Sequence, residues 1–167
     1  MRINFFKNRY VFPFFLVLTV FICLLAYMSE TNAQSILKNK VSHDMHLFLK
    51  TYFSSWSNRD IKSFKSHFHE SAIIFFIRNG RVQQSQSLNI FIQEQQAVLF
   101  QSSKSMVERM KSFAVDEDRN GATASVEWEL LIDGGKIDEG VDRFTMIRDS
   151  QGNWKIVALV WYKTRKK

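Results

Sequence analysis

GATASVEWELLIDGGKIDEGVDRFTMIRDSQGNWKIVALVWYK, residues 121–163, decides the fold. Apolar and polar residues alternate through Ala122–Ile132, Lys136–Arg148 and Trp154–Lys163, the period of half-buried strands. Asp133-Gly134-Gly135 and Ser150-Gln151-Gly152-Asn153 separate these runs, and turns of this kind join antiparallel neighbours. One step outward, Met106–Val115 reads as a fourth strand, closed by Asp118-Arg119-Asn120-Gly121. The C-terminal half is therefore an antiparallel meander.

The N-terminal side changes period. Met45, Phe48, Leu49, Tyr52, Phe53 and Trp56 recur at helical spacing over about 42–57. Asn58-Arg59-Asp60 breaks that helix, and Asp60 is placed to cap a second one carrying Ile61, Phe64 and Phe68. A β-rich run from Ala72 to Ile77 follows, then Asn79-Gly80, a tight-hairpin signature, and a return strand over 81–85. Ser87 is placed to cap a third helix with Leu88, Phe91, Ile92, Gln95, Val98 and Leu99 on one face. The order ααββαββββ predicts an α+β domain, with helices packed on one face of a six-stranded, mainly antiparallel sheet.

Residues 1–33 read as a leader: a basic start, an apolar run of 18 residues from Val11 to Met28, and a polar stretch ending at Ala33. It is either a signal peptide cleaved after Ala33, with Thr31 and Ala33 three residues and one residue before the cut, or an uncleaved anchor with its basic end inside. Residues 34–41 form a linker, 42–163 the domain and 164–167 a basic tail. Both readings of the leader put the domain outside the cytoplasm, in a bacterial periplasm or cell envelope, with membrane contact only through the N-terminal segment. Cys23, the one cysteine, lies in the leader, so the domain has no disulfide and no thiolate chemistry.

The net charge of +7 is unevenly placed. Arg2, Lys7 and Arg9 against Glu30 hold two of the charges, and Lys163, Arg165, Lys166 and Lys167 hold four. The body is left near neutrality, without the basic face that nucleic-acid binding requires.

Several local patterns carry a resemblance. They are Tyr52-x3-Trp56-x3-Asp60, Phe64-x3-Phe68, Ala72 entering a strand, Gly140-x-Asp142-x-Phe144-Thr145, and Asp149-x2-Gly152-x-Trp154-Lys155-Ile156-Val157. In this order they resemble the nuclear transport factor 2-like superfamily, which includes ketosteroid isomerases, polyketide-cyclase-like enzymes and lumazine-binding-like domains. The resemblance implies a cone: three helices closing one mouth of a curved sheet around a pocket. It puts Tyr52 where the isomerases keep an oxyanion-donating Tyr. It puts Phe76 where they keep the Asp general base, and a phenyl ring takes no proton. Isomerase chemistry of that type therefore lacks its base.

Candidate pocket-lining residues are Tyr52, Trp56, Phe76, Trp128, Asp142 and Tyr162. Val126, Trp128 and Leu130 suit the concave face, which leaves Glu127 and Glu129 outside; a one-residue slip would bring both carboxylates in. Asp142 is placed near the mouth, to meet a ligand or to pair with Arg143 or Arg78. Alternation in the last strand puts Val157, Leu159 and Trp161 on the outer face, and so makes them candidates for a homodimer interface. His43, His46, His67 and His69 have no metal-ligand spacing, and no cofactor fingerprint is present. The sequence thus predicts an exported, non-catalytic domain that binds a small hydrophobic ligand or a partner. Two alternatives stay open: an isomerase-, dehydratase- or cyclase-type enzyme using the same pocket, and a structural subunit of an envelope or secretion assembly.

Overall fold

A computed structural model describes residues 43–117 and 121–164. The leader, the linker, nearly all of the basic tail and part of the turn after Val115 lie outside the described residues.

Helix α1 covers residues 43–57 and turns Met45, Leu49, Tyr52, Phe53 and Trp56 inward, all of them buried. It ends where Arg59 adopts a left-handed conformation, φ 59°. Asp60 then caps α2 (Ile61–Ser66), its carboxylate accepting from the Ser63 N–H at 2.9 Å. Only Phe64 of this short helix is buried. Phe68, read from sequence as helical, instead opens strand β1 (Phe68–Arg78). The Ile156 N–H donates to the His67 carbonyl at 2.9 Å and Phe68 registers with Ile156, so pairing with the last strand ends the helix early.

Asn79 and Gly80, at φ 55° and 71°, make the two-residue hairpin turn into β2 (Arg81–Ser87). Helix α3 (Leu88–Gln101) follows, with Ser87 extended at its N-cap position but making no capping hydrogen bond through its hydroxyl. Four strands complete the chain: β3 (Met106–Glu117), β4 (Ala122–Ile132), β5 (Gly135–Arg148) and β6 (Trp154–Lys163). The sheet order is β2-β1-β6-β5-β4-β3. β1 and β6 run parallel, and every other pair is antiparallel.

Bulges bend this sheet around the helices, because an extra residue increases local twist and curvature. Lys111 is the extra residue of β3 and Val157 that of β6. Each resets the alternation. In β6, Trp154 and Ile156 face inward before the bulge, and Leu159, which is buried, faces inward after it. In β3 the inward set passes from Met106 and Met110 to Phe113 and Val115, which pack against the core.

The core is chiefly aromatic. Tyr52 touches Phe64 at 5.0 Å and Phe144 at 5.2 Å between ring centroids, and Phe68 stands 5.9 Å from Phe91 of α3. These edge-on and tilted contacts tie all three described helices to the sheet. Trp128 needs one further concession. It registers opposite Gly140, where a Cβ would collide with the Trp128 indole and with the Tyr162 carbonyl. Only glycine lets the indole lie across β5. Gly140→Ala is expected to destabilise the domain by on the order of 1–3 kcal/mol, read as a shift of the urea midpoint, because overpacking there displaces a buried ring.

Candidate functional site

Between the helices and the concave sheet face lies a cavity of about 280 Å3. Tyr52 and Trp56 of α1, Phe64 of α2 and Phe91 of α3 form its helical side. Trp128, Leu130, Leu159 and Trp161 form its floor on the sheet. Gln95 of α3 reaches across to accept the Trp56 indole N–H at 2.8 Å, which fixes that ring at the mouth.

Polar groups converge on this apolar space. Asp142 is 5% exposed and its Oδ1 accepts from Trp128 Nε1 at 2.8 Å. Gly140 and Asp142 share the inward face of β5, so the indole that crosses the glycine delivers its N–H two residues along the same strand. Glu108 of β3 also lines the cavity and is held there through its backbone. Its N–H donates to Ser57 Oγ at 2.9 Å, and Ser57 Oγ donates to its carbonyl at 3.2 Å. Arg59 fixes the approach to β3 by donating to the carbonyls of Ser102 and Lys104. At the mouth, Lys163 forms an ion pair with Asp138.

The electrostatics follow from burial. Loss of solvent pushes the Asp142 carboxyl up to about 7, against the opposing effect of the Trp128 N–H. Desolvation, and then the Asp142 charge, hold Glu108 well above the ordinary carboxylate range. Glu108 keeps some accessible surface because it lines the cavity, but its carboxyl lies among enough protein for desolvation to dominate. Burial, Asp142 and Glu108 together raise the Tyr52 hydroxyl far above 10, so Tyr52 is a donor at every physiological pH. Behind Tyr52, His67 is buried between the Ser63 carbonyl, 2.8 Å from Nδ1, and Thr51 Oγ1, 3.1 Å from Nε2. Desolvation keeps that imidazole neutral below its usual value.

Of the residues singled out in the sequence, Tyr52, Trp56, Trp128 and Asp142 line the cavity. Asp142 lies deep and bonds to Trp128, not to Arg143 or Arg78. Phe76 stands outside the wall, stacked on Trp161 at 4.2 Å and facing a second depression shared with Asn79 and Lys163. Tyr162 is on the other face of the sheet, with the Arg143 guanidinium 5.9 Å from its ring centre. Leu159 and Trp161, expected on the outer face, line the cavity instead, because the bulge at Val157 inverts the alternation beyond it. Val157 itself is half-buried at the bulge. Glu127 and Glu129 lie on the face opposite Trp128. Glu108 escaped the sequence reading. Its signal is the spacing Met106-x-Glu108-x-Met110, a lone carboxylate at an inward position of an otherwise apolar face. Among the described residues, no three His, Cys, Asp or Glu side chains gather as a metal site.

Residues 41–162 match the family described as "Putative lumazine-binding". The chain belongs to that family. Through it and through its fold the chain is a member of the nuclear transport factor 2-like superfamily. A nuclear transport factor 2-like protein of unknown function from Pseudomonas putida is similar in structure, with TM-score 0.65, 11% identity and 77% of this chain covering 89% of that one. A protein of unknown function with a cystatin-like fold from Nostoc punctiforme gives TM-score 0.63 at 8% identity, covering 75% of this chain and 92% of its own. The ActVI-ORFA protein of Streptomyces coelicolor gives 0.63 at 9% identity, covering 74% and 97%. At these identities the likeness concerns the fold alone. No curated protein matches the chain in sequence.

The raised carboxyl sets a pH dependence. Folded Asp142 keeps its proton up to about 7, whereas the unfolded side chain loses it near 3.8. The folded state therefore binds more protons across that window, and this residue's contribution to stability falls as pH rises through it, then levels off. Asp142→Asn is expected to raise the melting temperature on the order of 5 °C near pH 8 and hardly at all near pH 4, as followed by circular dichroism.

Proposed function

We propose that this domain binds a small, flat, largely apolar molecule in the cavity between the helices and the sheet, without transforming it. One observation carries the reading: aromatic walls enclose a space that ends on three convergent polar groups, Tyr52, Glu108 and Asp142. A few placed polar groups in an apolar concavity are the ordinary composition of a ligand site. The volume, near the lower end of the roughly 300–1,000 Å3 range of such sites, suits one or two fused rings. The family description supports the same reading and names lumazine, a neutral bicycle, as a first probe. Titration of the full chain with lumazine and a panel of mono- and bicyclic compounds is expected to quench tryptophan fluorescence and raise the melting temperature. Trp128→Phe should weaken that response about tenfold. A panel without a single stabiliser would remove small-ligand binding from consideration.

A second reading, proton-transfer catalysis of the isomerase, dehydratase or cyclase type, is favoured by one feature. Asp142 sits beside Tyr52 with its carboxyl pushed to about 7, the range that suits a general acid or base. Phe76 weighs against it, because the position that the isomerases use for their base carries no titratable group.

We further propose export of the domain on its leader, which rests on the sequence of residues 1–33. The proposed homodimer is reassigned to the face that the bulge leaves outward. Ile73, 46% exposed, and Phe75 of β1 lie beside Ala158 and Val160 of β6 there, with Tyr162 at one end. Val160→Glu is expected to halve the molar mass in light scattering at micromolar concentration. An unchanged mass, or a wild type that is already monomeric, rules out this interface.

A further inference from the structure

Resting on the small-molecule reading above, we infer that the cavity selects an organic cation, an aryl or alkyl amine whose ammonium head sits between the carboxyl groups of Asp142 and Glu108 among the tryptophan rings. The charged lining of the cavity is chiefly acidic. Glu108, Asp138 and Asp142 all line it, and Lys163, the one basic side chain on its wall among the described residues, is already paired with Asp138 at the mouth. The indole N–H groups of Trp56 and Trp128 are committed to Gln95 and to Asp142 Oδ1. Asp142 is more than nine-tenths buried, yet its Oδ2 has no hydrogen-bond partner among the described residues, and neither has the Glu108 carboxyl. A carboxylate withdrawn from water normally has a cation or several donors beside it. Here the protein supplies one indole N–H and leaves the remaining valences facing the cavity.

The walls favour the same guest. Trp56, Trp128, Trp161 and Tyr52 surround the space, and the faces of such rings attract an ammonium, more strongly when it is desolvated. A neutral ligand would gain the Tyr52 hydroxyl, the Gln95 amide and Trp161 indole N–H groups and whatever protons the acids retain, but would bring no charge to answer the carboxylates. An anion would meet two carboxyls and no free cation.

The groups facing the ammonium site are Tyr52 from α1, Glu108 from β3, Asp138 and Asp142 from β5, and Lys163 from β6. Helices α2 and α3 and strand β4 contribute Phe64, Phe91, Gln95, Val98, Trp128 and Leu130, none of them charged. Asp142 must lose its proton to hold the cation, so affinity rises with pH through about 7 and binding below that releases protons.

The test is calorimetry on the full chain with three matched probes: benzyltrimethylammonium, its neutral isostere neopentylbenzene, and the anion phenylacetate. The quaternary cation keeps its charge at every pH, so any pH effect belongs to the protein. Near pH 8 the cation is expected to bind at least about tenfold more tightly than the neutral isostere, with an advantage that shrinks several-fold near pH 5.5. Asp142→Asn and, independently, Glu108→Gln should each reduce that advantage by about tenfold and leave the neutral probe unchanged. Equal or tighter binding of the neutral or anionic probe overturns the inference while the small-molecule reading stands, and so does a cation preference indifferent to both variants. Binding by none of the three overturns the inference and leaves the small-molecule reading to the lumazine and bicycle panel.

Discussion

The indole of Trp128 lying across Gly140 to reach Asp142 is the constraint on which the site depends. It requires a missing side chain at one position, a large aromatic on the neighbouring strand and a carboxylate two residues along the first. Each element has its own cause: the glycine because a Cβ would strike the ring, the tryptophan because its N–H is the one donor to the carboxyl among the described residues, and the aspartate because it shares the glycine's face. The hydrogen bond holds Asp142 in a place where burial alone would expel it. The result is a carboxyl poised near neutrality, which a fully solvated side chain on the same strand would not be.

Much of this was legible in the sequence. Helical spacing from Met45 to Trp56, the glycine turns and the alternation of β4 and β5 gave the element order, and Asn79-Gly80 adopts the turn its chemistry demands. What remained hidden were the bulges. A single inserted residue is invisible to a period-two reading, yet it moves every later side chain of the strand to the other face. Val157 did this to Leu159, Trp161 and Tyr162, exchanging cavity and surface. Lys111 did the same in β3, which saved Phe113 and Val115 for the core. Phe68 was misread for a different reason. Its spacing from Phe64 fits a helix, but pairing with Ile156, far along the chain, outweighs local preference in a helix of six residues.

Enzyme and binder differ here less in architecture than in what occupies a few positions of one cone. Phe76 stacks on Trp161 and contributes surface in place of a base, whereas Asp142 and Glu108 bring acidic groups to the opposite side of the floor. Fold membership leaves that choice open, because the superfamily houses both kinds. The arrangement of donors and acceptors around the cavity carries the functional argument, and it is a property of this chain's own residues.

The parallel pairing of β1 with β6 has a consequence for how the molecule is made. β6 is the last of the described strands in chain order, but it lies in the middle of the sheet, between β1 and β5. Until it arrives, the first hairpin has no strand joining it to the meander, and the three-strand meander has an open edge. The domain therefore cannot mature piecemeal from its N-terminus. The sheet becomes continuous only when the ten residues of β6 fill the gap between β1 and β5.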